Sequence, residues 1–376
     1  MVEREVVRSF IYPVFVTPPM STQLQDQYAF RPTGSTTAAL ISILHHVTAL
    51  LEDNPYVSIV SLDFSKAFDS VRHYTLAEKL SKLELPDAIY NWLINFLSER
   101  RHTTKFAGFT SRTAYINSSV VQGSGVGPSS YVVTASDLRP VLTENKIVKY
   151  ADDTYLLVGA KKRLTITAEL AQIAEWAQRN NLQLNPTKSR EMLVTRSRIQ
   201  YTPDLISGVQ RVNAMKILGV TFRSDLRASG HVDEVLEACS RSLYALRVLR
   251  THGLPADALH VVTKATTVAR LMYAAPAWWG STTEGDRSRL DRFLRRIQRM
   301  GFLPDASPSA ADMVEESDER LLRAVIWNSC HVLRDQFPQM TSTVYNLRPR
   351  RHNFQLPHKD NINFISRVLY KNAYNH

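Results

Sequence analysis

The sequence predicts an α+β fold that gives way, past about residue 225, to helices alone. Three observations carry this. Apolar β-branched runs alternate with helical patterns through the first part of the chain. From about residue 230 only helical spacing remains, with Val232, Val235, Leu236, Cys239, Leu243, Leu246 and Leu249 on one face. Acids stand where strands end: Asp63 after Val57-Ser58-Ile59-Val60-Ser61-Leu62, and Asp152-Asp153 between Ile147-Val148 and Tyr155-Leu156-Leu157-Val158.

The composition bounds the class. With 376 residues, 44% hydrophobic and 22% charged, the chain can fold into two or three domains. Its net charge of +11, from 46 Lys+Arg against 35 Asp+Glu, favours a polyanionic partner. Two cysteines, Cys239 and Cys330, exclude a disulfide framework and point to a reducing compartment. No run is long enough to span a bilayer, and the acidic start, Glu3 and Glu5, is unlike a secretory signal. An intracellular protein without a membrane partner is expected.

Taken in order, residues 1–34 read as an irregular lead-in. Val6, Val7, Phe10 and Ile11 share a helix face, and Pro13, Pro18 and Pro19 should end it. Ser35 or Thr36 caps a helix running to about Leu51. The buried strand 57–63 comes next, continued by Phe64-Ser65-Lys66-Ala67-Phe68-Asp69. A helix with Thr75 and Glu78 at capping-box spacing succeeds it, then one from Asp87 after Pro86. Two strand-like runs lead to Val120-Val121 and the loop Gln122-Gly123-Ser124-Gly125-Val126-Gly127-Pro128. Such a loop opening a helix can aim backbone N–H groups at phosphate, although an ordinary loop is the default and no Gly-Lys-Ser/Thr is present after it. After the acidic hairpin come a helix from Thr165 to Asn180, a strand Met192-Leu193-Val194 and a short strand Ile217–Phe222. Among the later helices, the one with Leu290, Phe293, Leu294 and Ile297 also carries Arg287, Arg289, Arg292, Arg295, Arg296 and Arg299, an excess of one sign that suits a phosphate-tracking face.

Acids at strand ends are costly unless paired or bound to metal. If the strands are neighbours, Asp63 lies beside Asp152, a geometry suited to two Mg²⁺ ions about 3.5–4 Å apart. Carboxylates suit Mg²⁺ as a hard cation, with Mn²⁺ as the substitute. Lys188 either neutralises or protonates a leaving group, or is a surface lysine after a turn.

Six stretches in order then stand out: Phe30-Arg31-Pro32, Leu62-Asp63-Phe64-Ser65-Lys66-Ala67-Phe68-Asp69, Gln122-Gly123-Ser124, Tyr150-Ala151-Asp152-Asp153, Leu184-Asn185-Pro186-Thr187-Lys188 and Leu218-Gly219-Val220. Together they resemble the reverse transcriptase domain of non-LTR (LINE-type) retrotransposons of the jockey or CR1 sort, over roughly residues 27–222. Tyr273-Ala274-Ala275-Pro276-Ala277-Trp278-Trp279-Gly280 and Tyr345-Asn346-Leu347-Arg348-Pro349-Arg350 look like the region downstream of the polymerase in such elements.

The resemblance implies a right-hand polymerase palm, an antiparallel sheet with helices, flanked by partial fingers and an all-helical thumb. It divides the chain into partial fingers (1–55), palm (56–225), thumb (226–305) and a C-terminal basic extension (306–376). Asp63, Asp152 and Asp153 become the catalytic acids and metal ligands. Phe64, through its backbone, Ser65, Gln122, Gly123 and Lys188 contact the nucleotide, and Phe68 is a steric gate under the sugar. Leu218, Gly219 and Val220 form the primer grip. The implied partners are an RNA template, a DNA primer and deoxynucleoside triphosphates, within a nuclear and cytoplasmic ribonucleoprotein. The fingers strands expected before residue 27 are abbreviated, so a fragment of a longer polyprotein is expected. The alternatives are an RNA-dependent RNA polymerase, which the phenyl ring of Phe68 disfavours, and an inactive nucleic-acid-binding remnant.

Overall fold

The computed structural model describes residues 2–121, 123–197, 202–340 and 352–373. The chain forms two compact units. The first comprises Met1–Ala39, Ser58–Glu191 and Tyr201–Arg211, and the second Leu40–Val57, Met192–Gln200 and Val212–His376. No helix among the described residues is long and apolar enough to cross a membrane.

The strands, in chain order, are β1 (Val57–Leu62), β2 (Phe64–Ser65), β3 (Arg101–His102), β4 (Lys105–Phe106), β5 (Phe109–Thr110), β6 (Ala114–Tyr115), β7 (Lys146–Tyr150), β8 (Asp153–Gly159), β9 (Gln183–Leu184), β10 (Arg190–Val194), β11 (Gln210–Arg211), β12 (Ala214–Ile217) and β13 (Val220–Arg223). Five of them form one sheet in the order β11-β10-β1-β8-β7. Within it β7 and β8 are an antiparallel hairpin, while the two-residue edge strand β11 joins β10 in parallel. The near-continuous burial of β1 reflects its β-branched residues, which pack on both faces. Helices His73–Leu80, Asp87–Leu97, Gly127–Thr134 and Ile166–Arg179 contribute Leu76, Leu93, Tyr131, Val132, Ile173 and Trp176 to the core beneath the sheet.

Several local expectations are corrected. The lead-in is helical and stops at Val16, before Pro18 and Pro19, but Pro13 does not end it: a π-turn at Val7–Ile11 precedes Pro13, which sits in the first turn of the next helical segment, where its missing N–H costs least. Phe10 is left out of the buried face, which is made by Val6, Val7, Ile11 and Phe15. The box expected at Thr75 and Glu78 is not used: the helix starts at His73, whose N–H donates to the Asn117 carbonyl at 3.0 Å and whose ring Nε2 meets the Ser119 carbonyl at 2.9 Å. The segment after Asp63 leaves the main sheet, since β2 pairs with β9 rather than extending β1. The strand expected over 217–222 is a hairpin, β12 and β13 paired through Ile217 and Val220, with Leu218 and Gly219 as its turn.

The second unit is mostly helical, as the periodicity predicts: Ser229–Thr251, Ala256–Thr263, Glu284–Arg299, Ala310–Trp327 and Phe364–Lys371. Two of these start on reciprocal capping boxes, Thr283 with Asp286 and Ser309 with Asp312. Cys239 is fully buried, a small core residue as its spacing suggests. The stretch Tyr345–Arg350 lies outside the described residues.

Candidate active site

The sheet order makes β1 and β8 neighbours, so Asp63, just past the end of β1, stands beside the β7-β8 turn that carries Asp152. The turn is one residue earlier than the sequence suggests. Tyr150 pairs with Asp153, leaving Ala151 and Asp152 as the two-residue loop and Asp153 as the first residue of β8.

That loop is held under strain. Ala151 takes a φ of 56°, a conformation disfavoured for any residue with a Cβ and found where the surroundings over-determine it. The restraint is visible. The buried Gln27 side chain accepts from the Ala151 N–H at 3.2 Å and from the Ala29 N–H at 3.1 Å. The Tyr28 N–H donates to the Lys149 carbonyl at 2.9 Å, and the Lys149 N–H to the Asp26 carbonyl at 2.7 Å. Lys149 is itself buried. Its Nζ donates to the carbonyls of Ala135 and Leu138 and pairs with Asp26 at 3.1 Å, while burial lowers its pKa to about 8. The segment Asp26–Ala29 therefore clamps the edge of the acidic hairpin. Gln27 and Lys149 border the motifs, but the sequence gives neither a role; only a polar side chain beside a motif hints at one.

The three carboxylates feel one another. Burial, and then the Asp63 charge, raise Asp152 above the ordinary carboxylate range. Much of Asp153 meets solvent, yet partial burial of its carboxyl and the charges of Asp152 and Asp63 push it up to about 6. The Asp63 Oδ2 is shielded from solvent and accepts no hydrogen bond. Its nearest cation is Lys188 Nζ at 3.9 Å, an ion pair too long for a hydrogen bond. Lys188 reaches Asp63 because β9 pairs with β2 and the Asn185 N–H donates to the Asp63 carbonyl at 2.8 Å. A carboxylate oxygen that accepts no hydrogen bond, beside two acids with raised pKa, is part of a hard, anionic donor set that fits a divalent cation. Among the described residues no three His, Cys, Asp or Glu side chains yet converge at metal-binding spacing.

The remaining expected residues occupy varied settings. Phe64 buries its ring edge-on to Trp176, centroids 5.9 Å apart, leaving only its backbone for a ligand. Ser65 is half-buried on β2. Phe68 is half-buried and stacks on the buried Tyr131, centroids 4.6 Å apart at 24°. The Tyr131 hydroxyl pKa is raised by burial and by the charges of Asp152 and Asp153, which places this ring pair next to the acids. Gly123 is exposed at φ 84° with open space where a Cβ would lie, and Gln122 lies outside the described residues. In the glycine loop the Gly125 N–H donates to Glu3 at 2.5 Å and the Gly127 N–H to Ser124 Oγ at 2.9 Å, so these two amides are already engaged.

In the second unit, Leu218 and Gly219 form the β12-β13 turn at φ 45° and 87°. Tyr273 supports it: its hydroxyl donates to the Leu218 carbonyl at 3.1 Å, and a Cβ on Gly219 would lie 3.2 Å from its ring. Val220 is fully buried. Of the arginines on Glu284–Arg299, Arg287 lies over the Trp279 ring and Arg289 pairs with Asp233 and Asp286. Among the described residues Arg292, Arg295, Arg296 and Arg299 have no acidic partner.

Residues 11–222 match the family described as "Reverse transcriptase (RNA-dependent DNA polymerase)". The chain is 30% identical over 226 residues to the RNA-directed DNA polymerase from mobile element jockey of Drosophila melanogaster, covering 56% of this chain and 24% of that protein. It is 25% identical over 352 residues to the probable RNA-directed DNA polymerase from transposon BS of the same organism, covering 87% and 36%. Among solved structures, apo telomerase from Candida tropicalis is similar at 14% identity and a TM-score of 0.48, covering 80% of this chain and 55% of that one.

Proposed function

The chain belongs to the reverse transcriptase (RNA-dependent DNA polymerase) family, its relatives are polymerases of non-LTR retrotransposons, and on that premise we propose that it copies RNA into DNA. The chain spans 24% and 36% of the lengths of the jockey and BS polymerases, so the reading concerns this portion. One observation carries it: the sheet brings Asp63 beside Asp152 and Asp153, whose carboxyls feel its charge.

Asp63, Asp152 and Asp153 would hold two Mg²⁺ ions, with Mn²⁺ as the substitute. When bound, such ions lower the pKa of an attacking hydroxyl and stabilise a pyrophosphate leaving group. The chain's own residues do the rest. The Phe64 backbone and Ser65 border the triphosphate, with Gln122 and Gly123 at the nucleotide and template. Lys188, 3.9 Å from Asp63, supplies positive charge, and a proton, to the departing pyrophosphate. The Phe68 ring, backed by Tyr131, stands under the sugar and excludes a 2′-hydroxyl by clash. The Leu218-Gly219-Val220 turn holds the DNA primer strand, and Asp26–Ala29 keeps the acidic turn from relaxing. The helical region from residue 226 to 305 serves as thumb, and residues 1–55 as partial fingers to the palm at 56–225. A protein acting on RNA and a DNA primer would work within a ribonucleoprotein, in the cytoplasm and nucleus.

The test is extension of a DNA primer annealed to a homopolymer RNA template, with deoxynucleotides and Mg²⁺. Extension that disappears in Asp152→Ala is expected. Absence of extension by the unmodified chain with either Mg²⁺ or Mn²⁺ would leave a nucleic-acid-binding remnant.

A further inference from the structure

Residues 100–116 form an isolated two-tier hairpin whose composition differs from the rest of the chain. β3 pairs with β6 at its base and β4 with β5 at its tip. Ala107 and Gly108, at φ 46° and 84°, make the tight turn that matches strand twist. Phe106 and Phe109 are direct cross-strand partners, so their rings share one face of the ladder. Both are 81% exposed and Tyr115 is 73% exposed. Scattered exposed apolar residues need no explanation, but a facing ring pair at a hairpin tip with a third ring on the same arm does.

The charge on the arm has one sign. Arg100, Arg101, Lys105 and Arg112 lie within it, and no Asp or Glu does. Arg100 lies over the Phe96 ring and Arg101 over the Tyr115 ring, both 5.1 Å from the centroid. Among the described residues Lys105 and Arg112 form neither an ion pair nor a ring contact. The arm contributes nothing to the core: every strand residue in it is exposed. Its backbone is nevertheless fixed, with the Ser111 N–H donating to the Thr104 carbonyl and the Ile116 N–H to the Arg100 carbonyl, each at 2.9 Å.

The geometry points to a docking arm for single-stranded RNA, with Phe106 and Phe109 stacking on bases and Lys105, Arg112 and the base arginines tracking phosphates. Exposed aromatic faces with interleaved cations are the elements that bind single strands without reading sequence. A duplex would offer the rings no free base faces, and a neutral protein partner would make no use of four unopposed cations. The choice of RNA rests on the RNA-templated reading above, in which the single strand ahead of the primer is the template.

The test titrates the full chain into a fluorescein-labelled oligo(rA) of twenty nucleotides, read by anisotropy at several salt concentrations without metal or nucleotide. The double variant Phe106→Ala/Phe109→Ala should bind about tenfold or more weakly with an unchanged salt slope, because stacking releases no counterions. Lys105→Ala/Arg112→Ala should also weaken binding and reduce the log–log slope by about 1.4, roughly 0.7 for each phosphate no longer neutralised. Melting curves should not move, since neither pair is buried. Wild-type affinity in both variants would overturn the proposal. So would loss of binding to oligo(dA) alone, which would assign the arm to the primer strand, or loss of self-association with RNA binding intact, which would assign it to a second copy of the chain. Because binding is read without chemistry, its outcome is separate from the polymerase reading. Arm-dependent RNA binding without primer extension would sink the catalysis alone, and extension with arm-independent binding would sink the arm alone.

Discussion

The Gln27 side-chain oxygen accepts a hydrogen bond from the Ala151 N–H at 3.2 Å, tying the lead-in segment to the strained turn that presents Asp152. Gln27 is fully buried, and its oxygen also receives the Ala29 N–H. Gln27→Leu keeps the volume but strands two buried donors, each costing about 1–3 kcal/mol. The expected outcome is a lower melting temperature and a fall in kcat with little change in KM for the nucleotide. Unchanged kcat in a folded variant would show that the turn holds its shape unaided.

Removal of Asp63 or Asp152 as Ala is expected to abolish nucleotide addition while preserving the circular dichroism spectrum, with a melting temperature in metal-free protein at neutral pH no lower than the parent's. The missing ligand set carries transition-state charge stabilisation of several kcal/mol, of the order that metal clamps supply. Near-normal extension by either variant would defeat the proposed chemistry.

The pH dependence derives from Asp153, raised to about 6 by partial burial and by Asp152 and Asp63. A carboxyl whose pKa is higher folded than unfolded favours the native state when protonated. That stability is full below the unfolded value near 3.8 and is lost as pH rises through about 6. In metal-free protein Asp153→Asn should therefore raise the melting temperature at neutral pH, with the difference shrinking towards pH 4. A difference that stays constant with pH would mean that the carboxyl titrates normally.

The Phe68–Tyr131 stack predicts a shared effect on sugar discrimination. Phe68→Ala should raise kcat/KM for a ribonucleotide relative to its deoxy partner. Tyr131→Ala should do the same more weakly, having removed the ring that backs the gate, whereas Tyr131→Phe should not. Since Phe68 is half-buried and such stacks contribute about 0.5–1.5 kcal/mol beyond burial, some loss of stability accompanies both truncations. An unchanged ratio in folded variants would place discrimination elsewhere.

Gly219→Ala probes the β12-β13 turn. At φ 87° an alanine is strained, and its Cβ would lie 3.2 Å from the Tyr273 ring, so a stability loss of about 1–3 kcal/mol is expected, along with weaker primer–template binding. Tyr273→Phe, which removes only the hydrogen bond to Leu218, should reproduce part of the loss. An Ala variant as stable as the parent would show that the turn is free to rearrange.

The sequence by itself determined the periodic features and the order of the motifs. The β-branched run of β1, the apolar face of Ile166–Arg179 and the helical spacing after residue 229 are local patterns whose burial is dictated by the hydrophobic effect, and each appears where the pattern puts it. The acids were legible because carboxylates ending buried strands are costly without a purpose. What the sequence could not determine was register and partnership. Tyr150 rather than Ala151 pairs with Asp153, and Ile217–Phe222 folds back on itself, at turns with Ala151 and Leu218 in left-handed backbone, bonded to Gln27 and Tyr273 far away in sequence. The helix that begins at His73 is held by the Asn117 and Ser119 carbonyls. Gln27, Tyr131 and Tyr273 belong to the same class. Each is an ordinary residue in its own stretch, and it acquires a role only because tertiary packing places one polar atom or one ring against a motif far away in sequence.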